Sequence, residues 1–163
     1  MGCARTVLTE DERELGCLLL DIGGGTTDLM VFSESDPVYT SAIPLGGSQI
    51  TGDISIMLSI PIDSAERLKK ESGAAWTEAI DPDEAVIVPG FGAREPVELE
   101  RRKLVSIVQP RVEEIFEMVN ERLVKNGSKE LIKAGVVLTG GSALLPHIDE
   151  CARSVFGVPV RIG

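Results

Sequence analysis

The sequence predicts an α/β fold: a mixed sheet with flanking helices, carrying a small inserted α/β subdomain. Three observations point there. Twice, at residues 18–25 and 136–141, a short apolar run ends in a glycine cluster. Each run is too short for a helix and apolar enough for a buried strand. Residues 101–126 carry a broad apolar stripe at helical spacing, through Leu104, Ile107, Val108, Val112, Ile115, Phe116, Val119 and Leu123. Between these, residues 74–100 are broken by Pro82, Pro89, Gly90, Gly92 and Pro96, the composition of a small hairpin region rather than of a core element.

Taken in order, residues 4–14 mix charges with small side chains and read as an exposed lead-in. Residues 16–21 and 27–33 are strands about a glycine turn, Glu34-Ser35-Asp36-Pro37 is a tight turn by composition, and residues 38–43 complete an antiparallel meander. After Gly46-Gly47-Ser48, the residues Ile50, Ile54, Met57 and Leu58 share a helix face, with Ser48 or Thr51 as N-cap and an end before Pro61. Residues 62–73 form a second helix, started by Asp63 or Ser64 and stopped by Gly73. Residues 85–88 and 96–99 are short strands of a projecting hairpin, with Trp76 partly in the core at its edge. In the long helix Pro110 predicts a kink or a junction of two helices, and Gly127 closes it. Residues 130–134 connect to a buried strand at 135–139, a helix at 146–156 with His147 at its start, and a last strand at 158–162. The domain division is therefore 1–60 with 105–163 as the body, and 61–104 as the insert.

At 163 residues and 43% hydrophobic content the chain can bury one core. A net charge of −10 disfavours nucleic acid and anionic membrane as direct partners. Cys3, Cys17 and Cys151 have neither metal spacing nor the even number of a disulfide framework, which fits a reducing compartment. No apolar run approaches the length of a membrane span, and no signal-peptide pattern opens the chain.

The chemistry concentrates at Asp21-Ile22-Gly23-Gly24-Gly25-Thr26-Thr27-Asp28. Successive glycine N–H groups form an anion-binding concavity, and the two threonines add hydroxyl donors. Asp21 ends its strand, where a carboxylate holds water around Mg²⁺ beside a phosphate. A Walker loop is excluded because no lysine follows these glycines, and a dinucleotide fingerprint because strand rather than helix follows.

These residues resemble the second phosphate motif of the actin-like ATPases, and Val136-Val137-Leu138-Thr139-Gly140-Gly141-Ser142-Ala143 is similar to their adenosine motif. Within that superfamily the chain resembles the bacterial FtsA family of cell-division proteins, through Ile43-Pro44, Thr51-Gly52-Asp53-Ile54, Asp63-Ser64-Ala65-Glu66-Arg67-Leu68-Lys69 and Ile107-Val108-Gln109-Pro110-Arg111. The PilM pilus proteins and the chaperone ATPases share the glycine motifs but match the last two stretches less well. The resemblance implies the second half of an actin-like, ribonuclease H-like fold. The first phosphate motif, the first-half subdomain and the family's membrane-binding helix are not in the sequence.

The resemblance implies ATP and Mg²⁺ as cofactors. It places Gly23, Gly24, Gly25, Thr26 and Thr27 on the phosphates. Asp21 falls at the metal, through water, and beside any attacking water. Glu66, Lys69, Gly140, Gly141 and Ser142 fall around the adenosine. It implies that the insert, 61–104, is the partner-binding subdomain, and that the C-terminal tail of FtsZ docks at Arg111 and Glu114, with Asn120 and Arg122 as weaker candidates. Further implications are filaments, other divisome partners and a site of action at the cytoplasmic face of the inner membrane. Phosphoryl transfer depends on positioning and charge stabilisation, and no plain general base is present. The expectation is weak nucleotide binding and little turnover from this chain, and at most a weak ATPase in a longer protein. A sugar-kinase reading lacks a substrate-binding aspartate. A module that has lost nucleotide conflicts with the intact glycine clusters.

Overall fold

The computed structural model of this chain describes residues 7–163; Cys3 and the first residues of the lead-in lie outside the described residues. A five-stranded sheet is built from β1 (Cys17–Ile22), β2 (Thr27–Ser33), β3 (Asp36–Ile43), β6 (Val136–Thr139) and β7 (Val160–Ile162), in the order β3-β2-β1-β6-β7. The first three strands are antiparallel, while β6 runs parallel to β1 and β7 parallel to β6. The sheet is mixed, as the sequence predicts. A second sheet is the antiparallel pair β4 (Ala85–Val88) and β5 (Val97–Glu100), the expected hairpin with its second strand one residue later than the composition placed it.

Alternation decides the faces of the main sheet. Leu18, Leu20, Ile22, Leu29 and Val31 point into the main core with Ile50, Ile54, Leu104, Val108, Phe116 and Ile148. Those partners come from the helices α2 (Gly47–Leu58), α4 (Arg101–Asn126) and α5 (Ile148–Phe156), while α3 (Ile62–Ser72) adds Ala65 and Leu68. Cys17, Leu19, Phe32 and Val137 face the other way and are covered with Leu8. Trp76 is partly buried against the main core, as expected.

Several local expectations are corrected. Residues Glu10–Leu15 form a helix, α1, with a capping box in which Thr9 and Glu12 bond reciprocally. It is not a bare lead-in, because Arg161 of β7 grips Glu12 through Nε at 2.6 Å and Nη2 at 2.7 Å. Asp36 and Pro37 belong to β3; the turn is only Glu34 and Ser35, both left-handed, with φ of 53° and 71°. Such a two-residue turn matches strand twist, and Pro37 is tolerated because β3 is an edge strand. Neither Ser48 nor Thr51 caps α2; Gly46 is the N-cap, and its N–H donates to Gln49 Oε1 at 2.7 Å. Pro61, not Asp63 or Ser64, caps α3. α4 runs unbroken through Pro110, so two helices do not meet there. Gln109 beside it holds the turn at Thr77–Ala79, its Oε1 accepting from Thr77 N at 2.7 Å and Thr77 Oγ1 at 2.9 Å. The helix expected at 146–156 begins at Ile148, with His147 as its left-handed N-cap at φ 64°.

The Arg161 guanidinium holds the Glu12 carboxyl well below its ordinary value of 4.5, at about 2. A depressed carboxyl stabilises the fold above the unfolded value and stops doing so as pH falls through the folded one. The stability difference between the natural chain and Glu12→Gln, measured by urea unfolding, is therefore expected to be full above pH ~4.5 and gone near pH ~2.

Candidate functional site

β1 and β6 are parallel and paired with Asp21 opposite Thr139, so both end at the same edge of the sheet. The glycine turns that follow them, remote in sequence, come out side by side. Ligands of open α/β sheets collect at such strand ends. Gly140, in a left-handed conformation with φ of 92°, lies against Asp21. A Cβ there would stand 2.5 Å from Asp21 Oδ1 and 2.6 Å from the Ile22 carbonyl oxygen. Only glycine permits this approach of the two turns.

The hairpin tip then docks on α2. Gly47 and Ser48 donate their N–H groups to the carbonyl oxygens of Gly23 and Gly24, both at 2.8 Å. These are first-turn donors that no residue within the helix can satisfy. A Cβ on Gly46 would clash with the same two carbonyls.

The result is a cleft of about 640 Å³. Of the residues singled out in the sequence, Gly23, Gly24, Glu66, Lys69, Gly141 and Ser142 line it together. Gly25 and Thr26, exposed in the adjoining turn, and Asp21, exposed near the end of β1, do not line it. Thr27 is turned inward: its side chain is buried and Oγ1 donates to the Leu45 carbonyl at 2.9 Å, so its hydroxyl does not reach the cleft. Sequence reasoning missed Gly47, Ser48, Lys70, Leu144, Leu145 and Pro146 as lining residues. Gly46-Gly47-Ser48 stood out as a cluster, but only the docking of the hairpin gives it a place here. Leu144, 80% exposed beside the second glycine turn, is an apolar wall left open.

Lys69 is the most engaged polar group. Its ammonium donates to Gly47 O at 3.1 Å and Thr51 Oγ1 at 2.8 Å, and pairs with Glu66 Oε2 at 2.9 Å. An ammonium has three donors, and all are spent inside the protein. Thr51 also bonds Glu66. The Thr51 hydroxyl, followed by Lys69, holds the Glu66 carboxyl below the usual carboxylate range. Lys70 is 72% exposed, with a looser ion pair to Glu66 Oε1 at 3.5 Å.

The hairpin residues have the donors an anion needs. The Gly24 and Gly25 N–H groups have no acceptor among the described residues, while the carbonyls of Gly23 and Gly24 are held. That leaves adjacent donors on an exposed turn, the donor set of an anion site. No cluster of three or more His, Cys, Asp or Glu suited to a metal occurs among the described residues. A magnesium ion held by one carboxylate, water and phosphates needs none, and Asp21 is an exposed carboxylate at the strand end beside the turn.

A second feature lies at the other end of α2. Asp53, Ile56, Met57, Ser106, Ile107, Pro110, Arg111 and Glu114 line a groove of about 380 Å³. Ile56 and Met57 are 78% and 67% exposed, an unusual pairing of apolar side chains on one helix end. Arg111 makes a two-pronged bond to Asp53, Nε to Oδ2 at 2.8 Å and Nη2 to Oδ1 at 2.9 Å, and reaches Glu114 through Nη1 at 2.9 Å. Arg111 and Glu114 are thus brought together, as the sequence had them. Asn120 and Arg122 lie elsewhere: Asn120 accepts from Lys129 at 2.7 Å, and Arg122 donates to Ser41 and to the Ala42 carbonyl.

Comparison with known proteins follows this geometry. A family model described as "Cell division protein FtsA" matches residues 18–163. The chain is 42% identical to the cell division protein FtsA of Pseudomonas aeruginosa PAO1 over 163 residues, covering all of this chain and 39% of that protein. It is 40% identical to the FtsA of Escherichia coli K12 over 170 residues, covering all of this chain and 40% of that protein. The chain thus spans about 40% of the length of these curated relatives. Among solved structures it is similar to MreB5 of Spiroplasma citri bound to ADP, with a TM-score of 0.79 at 24% identity over 98% of this chain and 52% of that one. It is also similar to a MamK mutant bound to AMPPNP, with a TM-score of 0.67 at 17% identity over 94% of this chain and 50% of that one. The fold is accordingly the actin-like one, as the glycine motifs implied.

Gly140→Ala combines a strained backbone with a clash against Asp21 and Ile22. It is expected to cost ~2 kcal/mol or more in chemical denaturation.

Proposed function

The chain belongs to the FtsA family of cell division proteins, and from that premise we propose that it carries one jaw of an ATP cleft together with a docking groove for the C-terminal tail of FtsZ. The observation that carries the reading is the meeting of the two glycine turns in one cleft with Glu66, Lys69 and Ser142. Crystal structures of MreB5, which shares this fold, hold ADP and AMPPNP.

In this reading the Gly24 and Gly25 N–H groups bind the phosphates, with the exposed Thr26 hydroxyl beside them. Asp21 orients water at Mg²⁺, which when bound neutralises phosphate charge. Gly140 and Gly141 let the backbone approach the adenosine, Ser142 and Leu144 line it, and Lys70 is the available cation. Lys69 and Glu66 build the wall. No side chain among those lining the cleft is placed as a strong general base, since Glu66 is engaged by Thr51 and Lys69. The role is therefore binding that controls assembly, with at most weak hydrolysis by a longer protein. The tail docks by setting apolar side chains on Ile56, Met57, Ile107 and Pro110, while Arg111 and Glu114 fix its register. Filament formation, other divisome partners and attachment to the inner membrane belong to the same proposal. No helix among the described residues is long and apolar enough to cross a membrane.

Two titrations test it. Mg-ATP is expected to bind Gly24→Val at least ~10-fold more weakly, a difference of about 1.4 kcal/mol, because a branched side chain fills the approach to the hairpin. Equal affinities defeat the phosphate assignment. A synthetic FtsZ tail peptide is expected to lose at least ~10-fold in affinity for Arg111→Glu. An unchanged constant removes the groove assignment.

A further inference from the structure

The helix α2 touches both sites. Its first turn holds the hairpin tip through Gly47 and Ser48, and Thr51 locks it to Lys69 and Glu66 at the cleft wall. Its last turns carry Asp53, Ile56 and Met57 into the groove. The helix has 12 residues, about 18 Å at ~1.5 Å per residue. We infer that α2 is a coupling strut: phosphate on the glycine hairpin and peptide in the groove each bias its position, so that each ligand alters the hold of the other. This rests on the ATP and tail reading above and adds the regulation of those sites.

The physical link is the peptide plane. The carbonyl of Gly23 and the N–H of Gly24 belong to one trans unit and point in opposite directions, as do the carbonyl of Gly24 and the N–H of Gly25. Both carbonyls are aimed at the N-terminus of α2. The two N–H groups therefore face away from it, toward where an anion binds. An anion accepting from those N–H groups polarises the units and strengthens their carbonyls as acceptors. It pulls hairpin and α2 together; its loss loosens them. The positive pole of the α2 dipole, at the same end, has the same sign of preference.

At the far end the groove contains a bond that can be remade. Arg111 divides its guanidinium between Asp53 on α2 and Glu114 on its own helix. When α2 is seated, Asp53 takes two of the three contacts; when α2 withdraws, Glu114 remains. Arg111 and the apolar pair Ile56 and Met57 thus have two relative placements, one per position of α2. A peptide that needs both walls selects the seated position. Coupling of this kind is reciprocal. The stiff helix between is held by buried Ile50 and Ile54, so it shifts as a unit rather than bending.

The test uses the 163-residue chain, amide NMR and hydrogen exchange, with a synthetic FtsZ tail peptide and Mg-ATP as probes. Saturating peptide is expected to shift the Gly23, Gly24, Gly47 and Ser48 amides, not only the groove, and to slow exchange at Gly47 and Ser48 at least ~5-fold. Mg-ATP is expected to tighten peptide binding by a similar factor. In Gly46→Ala, whose Cβ pushes the hairpin carbonyls off α2, the seated position loses its hold. Peptide is expected to bind more weakly even without ATP, and Mg-ATP no longer tightens it. An unchanged peptide affinity with an unchanged ATP effect overturns the coupling. Gln49→Ala, which removes the side-chain amide whose oxygen holds the Gly46 N–H, is the milder variant and is expected to weaken the remote response. Peptide shifts confined to the groove, with hairpin amides unmoved, overturn the coupling while leaving the docking reading intact. No shifts anywhere overturn the docking reading and the coupling with it.

Discussion

The parallel pairing of β1 with β6 is the constraint on which everything else rests. Register places Asp21 beside Thr139, and so brings two glycine turns to one edge of the sheet. A parallel pair needs a long crossover. Here the crossover contains β2, β3, three helices and the small hairpin. Of these, α2 and α3 line the cleft, and α2 and α4 line the groove, so the connection that makes the pairing possible also supplies part of what surrounds it. Losing the close approach at Gly140 would separate the turns without disturbing any single element.

The second level of organisation is the junction between the glycine hairpin and α2. Helix N-termini need acceptors for their first N–H groups, and protein side chains usually provide them. Here main-chain carbonyls of a neighbouring hairpin do so. Gly46 is small because its Cβ would occupy the place of those carbonyls. Lys69, Thr51 and Glu66 secure the helix from the other side. Burying an ammonium is costly unless its donors are met, and all of them are met by α2 or by the carboxylate one turn back on α3. The polar cluster therefore acts as a joint, with ligand contact left to backbone and to more exposed side chains.

The strands and helices were largely legible, because their apolar spacing is strong and their stops are marked by Gly73, Gly127 and Pro61. Most misreadings were at element ends. Ser48, Thr51, Asp63 and Ser64 are good capping residues in isolation, but α2 is capped by a remote hairpin and α3 by the bend at Pro61. Pro110 ordinarily breaks a helix, yet the flanking Val108 and Val112 are buried in the core, and that packing holds the helix through it. α1 carries a local signal, the capping box of Thr9 and Glu12, but what seats it on the sheet is Arg161, at the other end of the chain.

The candidate site divides along the same line. Local sequence determined the glycine turn after β1, the second glycine turn, and the pairing of Glu66 with Lys69 on one helical face, because each depends only on neighbours along the chain. Tertiary structure decided that Thr27 points inward, that Lys69 spends its donors on α2, and that Gly47, Ser48 and Leu144 face the cleft. It also decided that Met57 stands exposed, with Ile56, beside Arg111 rather than in the core its spacing implied. These outcomes turn on which element packs where. That depends on a parallel register between residues far apart in sequence, and no short stretch encodes it.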